Sequence, residues 1–110
     1  MAKQAKLKKP KQVQALRREA GRLVAALREK RGLTQPELAD ILRLPEYRVV
    51  SLVETGRLRV PVEQTAAWAE ALGVDPRKFA KALFFYSDPV THRLLFGPEE
   101  TGHVQILLAD

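Results

Sequence analysis

The chain has no cysteine among its 110 residues, and aromatic residues make up only 6% of it. Without cysteine, disulfide bonds and thiolate metal sites are excluded, which is compatible with a reducing cytosol. No apolar run approaches the roughly 20 residues that a membrane helix needs. The lysine-rich start also lacks the apolar segment of a secretory signal. We therefore expect a cytoplasmic protein that makes no membrane contact.

Motifs that carry catalysis or bind metals are missing as well. His92 and His103 are isolated, and the chain has no HExxH motif, no phosphate-binding glycine loop and no paired carboxylates. We expect no enzyme activity, no catalytic residue, no metal and no cofactor.

What the chain does contain favours helices. The hydrophobic fraction is 45%, with abundant alanine and leucine, and a length of 110 residues fits one compact domain with extensions. These features predict the all-α class.

Acidic residues are missing from residues 1–18, which carry seven of the 19 lysine and arginine residues. The remainder has 12 basic and 13 acidic residues, so the net charge of +6 comes from this arm. The arm is predicted to be partly disordered and to become helical near Lys11. It either contacts phosphates through Lys6, Lys8, Lys9 and Lys11 or serves as a solubilising tail.

Apolar residues then recur at helical spacing and extend a first helix from about Lys11 to Gly32. The spacing is set by Val13, Leu16, Ala20, Leu23, Val24 and Leu27. Gly21 costs such a helix about 1 kcal/mol relative to alanine, which makes a kink or break there credible.

The stretch from Thr34 to Gly56 organises the rest of the chain. Thr34 and Glu37 have the spacing of a capping box that starts a helix. Residues 43–45 interrupt this helix because a proline disfavours helical angles in the residue before it. A second helix is predicted over residues 45–55, and Gly56 ends it.

The second helix is predicted to be amphipathic. Its inward side chains are predicted to be Val49, Leu52 and Val53. Its exposed or nearly exposed residues are predicted to be Glu46, Tyr47, Arg48, Val50 and Ser51. Two short helices with a sharp connection fit a helix-turn-helix, whose second helix can enter a DNA major groove. Ordinary helical hairpins have the same spacing, so spacing alone leaves both interpretations open.

Two more helices are predicted over residues 61–72 and 76–86, with Trp68 as a core anchor and Asp75 as an N-cap. In residues 87–110, the preferred prediction is a short helix over 90–96 that presents Val90, Leu94 and Leu95. The alternative is a β-hairpin that pairs 92–96 with 103–108.

Several short runs together resemble the XRE family of phage-repressor and Cro-like DNA-binding domains. These runs are residues 20–23 (AGRL), 27–29 (LRE), 31–35 (RGLTQ), 37–39 (ELA), 53–56 (VETG) and 69–74 (AEALGV). The resemblance covers about residues 20–83. It implies a five-helix lambda-repressor-like domain over 19–86, between the basic arm 1–18 and a C-terminal extension 87–110.

The resemblance also implies which residues contact DNA. Gln35 is expected on the DNA backbone, and Arg57 and Arg59 on flanking phosphates. Base edges or phosphates are expected to be contacted by Tyr47, Arg48 and Ser51, while Glu46 is a candidate acceptor for a cytosine amino group. Glu54 is expected to pair with a nearby arginine and brace the domain.

The expected function is a sequence-specific transcriptional regulator of bacterial or phage type, nucleoid-associated, that binds double-stranded DNA as a homodimer. One alternative is an antitoxin-like or adaptor protein that binds a protein partner through residues 84–108. Two observations motivate this alternative. The chain after residue 18 is nearly neutral, and the recognition helix lacks the polar cluster of the family. Another alternative is a non-specific architectural DNA binder or coactivator.

Overall fold

The fold of the chain is all-helical over residues 10–98, the range that the computed structural model describes. The helices there are α1 (Pro10–Lys30), α2 (Gln35–Ile41), α3 (Arg48–Glu54), α4 (Thr65–Leu72), α5 (Pro76–Ser87) and α6 (Pro89–Phe96). The predicted all-α class is confirmed. The hairpin alternative is wrong because residues 92–96 lie in α6, and its second arm at 103–108 lies outside the described residues.

Helix α1 runs without interruption through Gly21, so the break considered there is wrong. At this point α1 crosses the C-terminal end of α3 so closely that no side chain fits between them. A Cβ atom on Gly21 would lie 2.6 Å from the carbonyl oxygen of Val53 and would also collide with the carbonyl of Glu54. The glycine therefore permits the close approach of two helices.

The core is formed mainly by side chains of α1, α3, α4 and α5. Trp68 and Phe79 are its largest fully buried side chains, and Val24 and Leu27 of α1 pack with them. The prediction that Trp68 anchors the core is confirmed.

The helix predicted from residue 61 begins instead at Thr65. Before it, Val62–Gln64 form a 3₁₀ turn in which the Gln64 N–H donates to the Pro61 carbonyl at 2.9 Å. This shorter-range hydrogen bond tightens the chain. Val62 is consequently 87% exposed and does not join the apolar side of α4.

Helix α2 starts as its sequence signal predicts. The Glu37 N–H donates to the Thr34 hydroxyl at 3.2 Å, and the Thr34 N–H donates to the Glu37 carboxylate at 2.8 Å. Helix α3, by contrast, begins at Arg48 and not at residue 45. In the turn between them, Arg43 takes the left-handed conformation (φ 57°) and Leu44 packs against the core. Residues 45–47 lead the chain away from the partly buried Leu44 before α3 begins at Arg48.

Helix α6 confirms the preferred prediction for residues 90–96. Asp88 caps it by accepting from the Thr91 N–H at 3.1 Å. His92, isolated in sequence, is buried against the rings of Phe84, Phe85 and Phe96, whose centroids lie 6.1, 5.3 and 4.9 Å from its own. This aromatic cluster fixes α6 on α5 and turns other apolar side chains outward. The exposed ones are Val90, Leu94 and Leu95.

The close approach at Gly21 predicts the sign of one substitution. Alanine is favoured over glycine by about 1 kcal/mol in an open helix, but overpacking costs about 1–3 kcal/mol. We expect Gly21→Ala to lower the free energy of unfolding, measured in urea. The control is Ala15→Gly, an exposed site on the same helix, which isolates the propensity term. A more stable Gly21→Ala variant would contradict the close contact.

Candidate nucleic-acid interface

The register of α3 on the core decides which of its side chains are available to a ligand. Val50 is 0% exposed and Val53 is also buried, whereas Val49 and Leu52 are only half-buried. The prediction that Val50 lies on or near the exposed side is therefore wrong, and Leu52 is less inward than predicted. The pairs Val49-Val50 and Leu52-Val53 permit two apolar stripes, and packing against α1 selects one of them.

The outer side of α3 is polar and faces away from the core. Residues three and seven positions apart lie on one side of a helix, which places Arg48, Ser51 and Thr55 together opposite Val50. Arg48 and Thr55 are exposed and Ser51 is half-buried. Thr55, which follows the last residue of α3, was missed from the sequence although its spacing from Arg48 indicates it.

The two remaining predicted residues of this region lie just before α3. Tyr47 is its N-cap residue and is exposed, and Glu46 is exposed in the preceding turn. All four side chains predicted to meet bases, from Glu46 to Ser51, thus belong to one continuous segment of chain at the start of α3.

Four exposed cations lie on the loop that follows α3 and on the adjoining helix α1, and we define Lys11, Arg18, Arg57 and Arg59 as the basic patch. Gly56, with φ 81°, brings the two loop arginines against α1, because a Cβ on Gly56 would lie 2.8 Å from the backbone nitrogen of Arg18. Arg18 was not predicted as a site residue. Its seven-residue spacing from Lys11 along α1 is the signal that indicates a shared side.

Lys11 is the one arm lysine that the structure describes. Lys6, Lys8 and Lys9 lie outside the described residues, so their phosphate contacts stay predictions.

Gln35 is the first residue of α2, as predicted, and its side chain is tied into the domain. Its amide nitrogen donates to a carboxylate oxygen of Glu54 at 2.9 Å. The same carboxylate accepts two hydrogen bonds from Arg28, at 2.6 and 3.1 Å. The predicted pairing of Glu54 with an arginine is confirmed, whereas the contact of Gln35 with DNA stays a prediction.

This network joins three helices through a shielded ion pair. The side chains of Arg28 and Glu54 are 12% and 7% exposed, and Arg28 also donates to the Leu33 carbonyl at 2.7 Å. The hydrogen bond with Glu54 is the main reason why the pKa of Arg28 is raised above its usual value. A charged, bidentate pair therefore fixes the end of α3 against α1 and the start of α2.

Within residues 10–98, no group of His, Asp and Glu side chains is arranged to hold a metal ion. No helix in the described part of the chain is both long and apolar enough to cross a bilayer.

The shielded pair predicts a large difference between two glutamates that both approach Arg28. We expect Glu54→Ala to lower the free energy of unfolding by about 3 kcal/mol, because it leaves a buried charge without its partner. Glu29→Ala serves as the control, since Glu29 lies 3.8 Å from Arg28 with 71% of its side chain exposed. It should change stability by less than about 0.5 kcal/mol. Equal losses in urea unfolding would contradict the role of Glu54.

Comparison with known families agrees with this geometry. A family model described as a helix-turn-helix domain matches residues 19–82, more than half of the chain. No curated protein and no solved structure matches the chain significantly. The matched segment includes all of α2 and α3 and the turn between them, and it is consistent with the resemblance to the XRE family. The chain therefore belongs to the helix-turn-helix family of DNA-binding domains.

Proposed function

We propose that the chain is a sequence-specific transcriptional regulator of bacterial or phage type that reads the major groove of double-stranded DNA with α3. In this proposal it is not an enzyme, its helices follow the lambda-repressor-like arrangement, and it acts in the cytoplasm on the nucleoid. The observation that carries the proposal is the outer side of α3. Arg48, Ser51 and Thr55 face away from the core there, while Val50 anchors the opposite side.

The chemistry of this side fits base recognition. An arginine can donate two hydrogen bonds to the N7 and O6 atoms of guanine, and the Ser51 hydroxyl can donate or accept at a base. The Thr55 hydroxyl donates to the Ser51 carbonyl at 2.9 Å, so it can still accept from a base donor. Glu46 can accept from a cytosine amino group, and Tyr47 can contact a base edge or a phosphate. Gln35, held by Glu54 at the start of α2, would lie on the DNA backbone beside α3.

The basic patch supplies the sequence-independent part of binding. Arg57 and Arg59 follow α3 directly, and Lys11 and Arg18 extend the same cationic surface along α1. Each phosphate that a cation neutralises releases counterions, which makes the affinity fall with salt. The arm lysines Lys6, Lys8 and Lys9, which precede α1, would extend these phosphate contacts.

The alternative of an antitoxin-like or adaptor protein rests on one observation in α6. Leu94 is 80% exposed, and Val90 and Leu95 are also largely exposed. Exposed apolar side chains on one short helix are typical of an association surface. In the regulator proposal, the same surface pairs two copies of the chain so that two α3 helices meet two half-sites of DNA. The architectural alternative requires only the basic patch and the arm.

Base recognition by α3 is tested with duplexes selected from a random pool and with a random duplex, across a salt series. We expect the full chain to select a consensus. Arg48→Ala should weaken binding to the consensus by about 1–3 kcal/mol, with a smaller effect on the random duplex. Arg57→Ala should weaken both and lower the salt slope by about one.

Arg77→Ala removes an exposed arginine from α5, outside the proposed interface, and serves as the control. Absence of a consensus would favour the architectural alternative. An Arg48→Ala variant that behaves like Arg77→Ala would show that α3 does not read bases.

Self-association is tested by sedimentation equilibrium. We expect a dimer at micromolar concentration and a monomer for Leu94→Asp, because a buried carboxylate opposes pairing of apolar surfaces. Ala67→Asp, which places the same group on the exposed side of α4, should remain dimeric. A monomeric parent chain at every concentration would leave α6 as a surface for a different protein.

A further inference from the structure

An apolar cleft of about 250 Å³ lies between α1, α5 and the segment that follows α3. Its walls include Gly21 and Val24 of α1, Leu83 and Phe84 of α5, and Val60. Gly21 therefore lines the cleft beside the point where α1 and α3 make their close contact. The cleft lies apart from the outer side of α3, although Arg59 of the basic patch also lines it.

Arg17 of α1 also lines this cleft, and one N–H of its guanidinium lacks a hydrogen-bond acceptor. Its Nε is buried without a hydrogen-bond partner, and no carboxylate in residues 10–98 forms an ion pair with it. Arg28, on the same helix, has its guanidinium bound by Glu54 and the Leu33 carbonyl. A buried N–H without an acceptor is costly, and the guanidinium of Arg17 places a positive charge beside an apolar surface, which favours an anionic ligand.

The other polar groups of the cleft restrict what the rest of a ligand can be. The hydroxyl of Thr65 donates to the Val62 carbonyl at 2.8 Å, and that of Ser87 donates to the Phe84 carbonyl at 3.2 Å. Both hydroxyl protons are thus used within the protein. Burial, with a smaller effect from the charge of Glu19, raises the pKa of Tyr86, which therefore stays a neutral phenol at the edge of the cleft.

The size of the cleft favours a small molecule over a segment of protein. Because a cavity of about 150 Å³ holds benzene, 250 Å³ suits a body of about ten non-hydrogen atoms.

We propose that the cleft binds a small carboxylic acid with an unbranched or aromatic apolar body, whose carboxylate pairs with Arg17. The apolar body lies between Val24 and Leu83, and the carboxylate accepts from the guanidinium of Arg17. A charged acceptor on an arginine forms a short, strong hydrogen bond, which offsets the lost hydration of the carboxylate.

The test uses the full chain, without DNA, so that its outcome is independent of the proposed function. Octanoate is titrated by calorimetry and by the amide NMR signals of Gly21 and Val24, with 1-octanol as the uncharged probe of equal length. A ligand of this size should bind with a dissociation constant of roughly 10 µM to 1 mM.

Three variants locate the site. Arg17→Gln should weaken octanoate about tenfold or more while leaving 1-octanol unchanged, because only the ion pair is lost. Arg22→Gln is the matched control, since Arg22 is exposed on the same helix and pairs only at the surface with Glu19. Ala80→Phe should abolish binding of both probes by filling the cleft from α5.

Several results would overturn the proposal. One is no octanoate binding to the full chain at millimolar concentration. A second is equal affinity for octanoate and 1-octanol together with no effect of Arg17→Gln. A third is binding that appears only after Leu107 and Leu108 are both replaced by serine, which would show that the chain's own C-terminal residues fill the cleft. If Arg17→Gln does not fold, the comparison of the two probes and Ala80→Phe still decide the question.

Discussion

The position of α3 depends on the ion pair between Arg28 and Glu54. A helix of seven residues is not stable by itself, so packing and polar contacts must orient it. Val50 and Val53 hold one side of α3 on the core, and Glu54 fixes its end to α1 through Arg28 and to α2 through Gln35. Because the pair is shielded from water, it resists screening by salt far better than the exposed charges of the basic patch. The geometry of the proposed interface thus depends on a shielded ion pair that is not among the proposed DNA contacts.

Much of the fold could be predicted because its signals are local. Caps such as Thr34, Asp75 and Asp88 act within three residues, and the structure shows each of them accepting the expected backbone hydrogen bond. The predictions that were wrong concern contacts between residues that are distant in sequence. Gly21 was expected to destabilise α1 because glycine has a low helix propensity, yet it permits the close approach of α3. The register of α3 was ambiguous because adjacent apolar pairs fit two stripes, and only packing against α1 distinguishes them.

In the candidate site, too, local features could be predicted from the sequence and contacts between distant residues could not. The exposure of Tyr47, Arg48 and the loop arginines follows from polar residues at the ends of a short helix, and the sequence predicted it. Arg18 belongs to the basic patch because the turn at Gly56 packs against the backbone of α1, a contact between residues distant in sequence. The burial of His92 could not be predicted from the sequence either, because its aromatic neighbours Phe84 and Phe85 belong to a different helix.

The continuity of α1 changes how the charge of the arm acts. Lys11 and Arg18 are seven residues apart in one helix, so their backbones are held at about 10 Å from each other. A flexible tail would adapt to any spacing of phosphates at an entropic cost, whereas a rigid helix limits the spacings that its side chains can reach. Because the contact at Gly21 fixes α1 to the end of α3, that spacing is tied to the position of the recognition helix. In the proposed complex, the phosphate contacts of α1 therefore favour one docking orientation of α3, and with it one register on the bases.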